Sequence, residues 1–154
     1  LRAVGEDLQP LGLEKEIRTM EQEARMILPG IQAIFGFQLI AAFNQNFKTM
    51  LTQTEQNAHL AALVCVVLAT LFCLAPAAYH RQAEPGMISR RLCRIGNVFL
   101  TAALIPLMFG TCLDVYVVAR LITGSRPVAA LLSVLFLMAF TGTWFVFPRL
   151  SAKK

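Results

Sequence analysis

A chain of 154 residues that is 56% hydrophobic and only 15% charged, with a mean hydropathy of +0.61, lies outside the soluble range, where about a quarter of residues are charged. Its net charge of +5 is dispersed along the borders of apolar runs rather than gathered on one face, which argues against nucleic acid and for membrane lipids as partners. The four cysteines, Cys65, Cys73, Cys93 and Cys112, show no CxxC spacing and fall in or beside apolar runs, which argues against a disulfide framework.

Residues 1–26 read as a cytoplasmic or interfacial amphipathic tail. Its first ten residues, with Gly5 and Pro10, are irregular, after which Leu13, Ile17, Met20, Ala24 and Ile27 recur at helical spacing among charged residues. The polar face mixes signs, so docking on protein is at least as plausible as lying on anionic lipid. Pro29 and Gly30 punctuate the junction with the first apolar run, and the spacing predicts that the amphipathic helix meets the first span at an angle.

Residues 27–154 hold four apolar runs, at about 28–47, 58–79, 95–119 and 128–147, each about one crossing of a roughly 30 Å hydrocarbon core. Hydrocarbon offers backbone groups no water, so such runs are helices, and the fold class is all-α membrane: a four-transmembrane-helix bundle preceded by an amphipathic helix. The apolar run of span 1 comes too late in the chain for a cleaved signal and is expected to remain in the mature protein. Span 1 is unusually polar. Gln32 shares a face with Gly36, and Gln38 with Gln45, so interhelical packing through these amides competes with a polar lining for a water-filled path. Span 2 carries Pro76 near its end, and Glu84-Pro85-Gly86 marks a turn that makes spans 2 and 3 antiparallel neighbours. His80, Arg81, Arg90, Arg91 and Arg94 around this turn suit lipid headgroups. In span 3, Ala102, Pro106, Gly110 and Asp114 recur in steps of four along one stripe, where small residues let helices approach closely. Gly124-Ser125-Arg126-Pro127 marks a tight connection to span 4.

Arg and Lys set the orientation. Arg2, Lys15, Arg18 and Arg25, then the span 2–3 loop, then Arg149, Lys153 and Lys154 fall on one side, against Lys48, Arg120 and Arg126 on the other, so the N- and C-termini are expected in the cytoplasm.

Asp114 is the lone acid inside a span, about 28 Å along its helix and so in the outer third. A carboxylate at mid-membrane costs about 2.5 to 3.5 kcal/mol. It is a candidate ion or proton site with His59 and Lys48 on the same side, and an interfacial aspartate paired locally or hydrated is the competing reading. His59 and His80 lie about 31 Å apart by helical rise and cannot ligate one metal or haem. No nucleophile–base group or phosphate loop is recognisable, so no cofactor, metal or catalytic residue is assigned and an enzyme is not expected.

Two stretches are familiar: Glu23-Ala24-Arg25 with Leu28-Pro29-Gly30-Ile31-Gln32, Phe35-Gly36-Phe37, Phe43 and Phe47; and Leu74-Ala75-Pro76-Ala77-Ala78-Tyr79-His80-Arg81. Over about residues 15 to 95 the chain resembles a bacterial family of small four-span membrane proteins of unknown function, some automatically labelled sodium/proton antiporters. The resemblance implies a multi-pass protein of the bacterial cytoplasmic (inner) membrane and assigns no residue a role. Two functions are expected from these readings. One is a non-enzymatic accessory or structural subunit, packing against other membrane subunits or in a homo-oligomer; the other is a small oligomeric ion or proton channel or transporter using Asp114.

Overall fold

The structure, a computed structural model, describes residues 12–152, so the irregular segment expected around Gly5 and Pro10, and the basic residues Arg2, Lys153 and Lys154, lie outside the described residues. Among the described residues all regular structure is helical: α1 (Leu13–Phe43), α2 (Phe47–Met50), α3 (Gln53–Ala83), α4 (Arg90–Thr123), α5 (Arg126–Thr141), a π-helical turn (Gly142–Val146) and α6 (Phe147–Ser151). Four stretches are long and apolar enough to cross a membrane: α1, α3, α4, and α5 continued through the π turn and α6.

Local chemistry sets most of the ends. The Asn44 side chain accepts from Asn46 N–H at 2.9 Å, an Asx turn that stops α1 four residues before the predicted end of span 1 at Phe47. Thr52 caps α3 reciprocally with Glu55: Thr52 Oγ1 accepts from Glu55 N–H, and Glu55 Oε2 accepts from Thr52 N–H at 2.8 Å. Ser89 Oγ accepts from Leu92 N–H at 3.0 Å to start α4, and Gly124 ends it in the left-handed conformation at φ 67°. Pro148 has no N–H to offer the Trp144 carbonyl, and the helix widens over that turn, with Phe147 N–H reaching back five residues to Gly142.

At Pro29, the expected junction, the helix continues: α1 runs from Leu13 to Phe43 with Pro29 inside it. The proline removes one hydrogen bond, but Ile27, Leu28 and Ile31 on either side pack into the core, Ile31 at 1% exposure, and hold the flanking turns. The apolar face of the predicted amphipathic segment docks on protein of this same chain. Ile17 and Met20 are buried, with Leu13, Ala24 and Ile27 packed beside them, against Cys73 of α3 and Leu92, Cys93 and Leu100 of α4.

α3 and α4 form the central antiparallel pair, α1 packs against both, and α5 packs on α4. Close approach of the central pair is made by Ala62, Val66 and Ala69, all fully buried, facing Ala103 and Gly110. A Cβ at Gly110 would lie 3.0 Å from the Ala62 carbonyl oxygen and 3.1 Å from Cys65 Cβ, so this glycine sets the spacing of the pair. On α4, Gly96 leaves room for the Met20 thioether, and this close approach seats the first half of α1. α5 buries only Ala129 and exposes Leu131, Val134, Leu135 and Met138, a surface suited to lipid.

Gly110→Val is expected to lower the thermal unfolding midpoint in mild detergent, at a cost of about 1–3 kcal/mol, because backbone rather than a flexible side chain meets the new atoms. Gly36→Ala, whose Cβ meets nothing within 4 Å, is expected to be neutral or stabilising by up to about 1 kcal/mol.

Candidate functional site

Three helices converge at the end of the bundle that carries the α1–α3 and α4–α5 connections. Gln38 comes from the last turns of α1, His59 from the second turn of α3 and Asp114 from the last third of α4. Gln38 Nε2 donates to Asp114 Oδ2 at 2.6 Å, His59 Nδ1 lies 3.4 Å from Asp114 Oδ1, and His59 Nε2 lies 3.0 Å from the backbone carbonyl of Gln38. Gln38 and His59 are buried, at 4% and 6% exposure, and the Asp114 side chain retains 22%. Phe47 of α2 meets the His59 ring edge-on at a centroid distance of 5.2 Å.

This geometry orients the imidazole. A backbone carbonyl only accepts, so His59 Nε2 must carry hydrogen. In a neutral imidazole that leaves Nδ1 as a lone pair facing a carboxylate oxygen, which is repulsive. The contact becomes attractive only with a proton between them, as imidazolium and carboxylate or as imidazole and carboxylic acid. The pair and its proton carry no net charge, which suits a half-buried site in apolar surroundings.

One turn from His59 on α3, the carboxylate of Glu55 approaches Arg120 Nε of α4 at 3.1 Å. The Glu55 side chain is 4% exposed, and Arg120 supplies the countercharge that a buried carboxylate requires. Gln38, His59 and Asp114 also line one end of a cavity of about 760 Å³ whose other walls are largely apolar, including Phe37, Phe47, Val118 and Ile122.

The residues singled out from sequence divide accordingly. Asp114 and His59 come together, and Gln38 joins them. Lys48 is exposed on α2 and takes part in no hydrogen bond or ion pair among the described residues. Gly110 lies in the α3–α4 contact, Ala102 and Pro106 are half-buried along the same helix, and Gln32 is exposed with Gly36 open beside it. At the opposite end, Arg81, Arg90, Arg91 and Arg94 are exposed and His80 is half-buried, a placement compatible with headgroups. Arg91 sits 5.9 Å from the centroid of the Tyr79 ring, and Tyr79 donates to Glu84 Oε1 at 2.9 Å. Sequence reasoning missed Glu55, Arg120 and Gly96. The spacing of Thr52 and Glu55 is a capping-box signal that points to the first, but nothing local links Glu55 to Arg120.

Residues 12–148 match a family described as "Family of unknown function (DUF6328)". No curated protein and no solved structure matches the chain.

Asp114→Ala leaves Gln38 Nε2 and His59 Nδ1 without their partner, and is expected to cost about 1–3 kcal/mol. Asp114→Asn still accepts from Gln38 and can donate to a neutral His59, so its unfolding midpoint in detergent should stay closer to wild type. In the loop between α3 and α4, the Ser89 hydroxyl first and then that of Tyr79 hold Glu84 below the usual carboxylate range. A depressed folded pKa stabilises above the unfolded value and is lost as pH falls through the folded one. Glu84→Gln should therefore flatten the acid limb of stability against pH below about 4.3, the ordinary glutamate value.

Proposed function

The chain belongs to DUF6328, a family of unknown function, and we propose that within it this protein is a non-enzymatic, proton-binding integral membrane protein whose exchangeable proton resides on Asp114 and His59. The observation that supports this reading is His59 Nε2 held 3.0 Å from the Gln38 carbonyl while Nδ1 faces Asp114, since a proton between Nδ1 and the carboxylate would make that contact attractive and lie where carboxyl chemistry can release it. An imidazole on a neighbouring helix is oriented beside the carboxylate by the Gln38 carbonyl. With both termini in the cytoplasm of a bacterial inner membrane, the pair lies toward the outer leaflet, and proton entry there is short. Lys48 then borders the entry on the same side.

An accessory or oligomeric role is compatible with this function and has an observation of its own. Gln32 is exposed on a helix of membrane-spanning character, with Gly36 open one turn on, and an amide facing hydrocarbon needs a partner. A second helix laid along that face would supply it, from another subunit or a second copy.

Infrared difference spectra of the reconstituted protein, recorded between acid and alkaline pH, are expected to contain a protonated-carboxyl band that disappears in Asp114→Asn. Its persistence in that variant would retire the proton site. In liposomes under a pH gradient, proton flux in wild type that is lost in Asp114→Asn supports transport, and absence of flux in wild type removes transport while the accessory role stands.

A further inference from the structure

The cavity above the Asp114–His59 pair is larger than proton binding needs. Its volume of about 760 Å³ falls within the range of drug-sized ligand sites, about 300 to 1,000 Å³. The chemistry of its lining narrows the occupant. No Lys or Arg lines it, which disfavours an anion. Asp114, whose side chain keeps 22% exposure, is the acidic group among the lining residues, so the cavity offers a carboxylate to an N–H donor. A bare metal ion needs more oxygens than Asp114 and Gln38 supply, and no metal-binding group occurs among the described residues. Phe37 and Phe47 give the walls aromatic faces, which attract cations as well as apolar bodies. Phe37, Val118 and Ile122 are 73%, 53% and 77% exposed, so in a membrane the cavity is reached sideways from lipid.

We infer that this cavity binds a lipophilic organic cation bearing N–H donors, taken up in exchange for the proton of the Asp114–His59 pair. The inference rests on the proton-site reading above. The cation places its apolar body against Phe37, Phe47 and Val118 and donates to Asp114. The proton leaves for the aqueous phase, one positive charge replaces another, and the site stays neutral. The charged and titratable groups around Asp114 allow this. His59 faces it from α3, and Glu55, one turn from His59, is neutralised by Arg120 of α4. Arg126 of α5 acts through Glu55, Lys48 of α2 is exposed, and α1 contributes only the uncharged Gln38.

The test uses the full chain in nanodiscs of zwitterionic lipid with ethidium, whose charge is permanent, so that any pH dependence belongs to the protein. Binding is expected to release about one proton per cation in weakly buffered solution, and the affinity to tighten about tenfold per pH unit while the pair is protonated. Asp114→Asn should abolish the proton release, and Val118→Trp, which fills the cavity and leaves the pair intact, should abolish binding while the protonated-carboxyl band remains. Ethidium uptake without proton release, or equal uptake by both variants and by empty nanodiscs, is partition into lipid and overturns the inference. A titrating carboxyl band with no ethidium binding overturns the cation site alone, and absence of the band overturns the proton site beneath it.

Discussion

The contact of Asp114 with His59 depends on a third group that belongs to neither of their helices. Without the Gln38 carbonyl the imidazole could carry its hydrogen on Nδ1 and donate to the carboxylate while neutral; with it, Nε2 is the nitrogen engaged and Nδ1 is left facing the carboxylate. Gln38 serves the cluster twice, through its carbonyl to His59 and through its side-chain amide to Asp114. Removing α1 would therefore remove the group that orients the imidazole as well as a hydrogen bond. In a medium without water such groups have no alternative partner, so the polar cluster fixes where the end of α1 lies against α3 and α4.

The remainder of the fold makes that placement possible. Gly110 and Ala62 bring the backbones of α3 and α4 close together one turn before Asp114, and this approach brings His59 within reach of the carboxylate. At the far end, Met20 over Gly96 and Ile17 among Leu92 and Cys93 clamp the first half of α1 to the same two helices. α1 is thus held by apolar burial at one end and by hydrogen bonds at the other. The second kind of contact can change with protonation and the first cannot.

Much of the surface answers to lipid rather than to the site. α5 adds a fourth apolar face against α4, joined by Ser133 Oγ donating to the Cys112 carbonyl at 2.8 Å, and leaves most of its side chains outward. The π turn above Pro148 gives that helix a local irregularity remote from the proton pair. The exposed Gln32 and Gly36 sit on α1 away from the cluster, so contact with another chain there would not compete with the cavity.

Hydropathy determined the four stretches long and apolar enough to cross a membrane, because lipid imposes one composition on any helix that crosses it. Thr52, Ser89 and Gly124 set helix ends through hydrogen bonds within a few residues, the range over which sequence pattern is reliable. The stripe ending in Gly110 and Asp114 lies on the side of α4 that meets α3 and α1, and the apolar stripe of residues 13–27 lies on the side of α1 that packs into the core. Periodicity gives the face of each helix but not its rotation or axial offset against a neighbour. Gln38 and Asp114 are 76 residues apart, and Glu55 and Arg120 are on helices that sequence treats independently; such pairs form only once close packing has set both quantities. Asp114 and a histidine on its side of the membrane were visible in the chain, but the contact between them and the carbonyl that orients the imidazole were decided by tertiary structure, since they depend on distances between helices that no local interaction specifies.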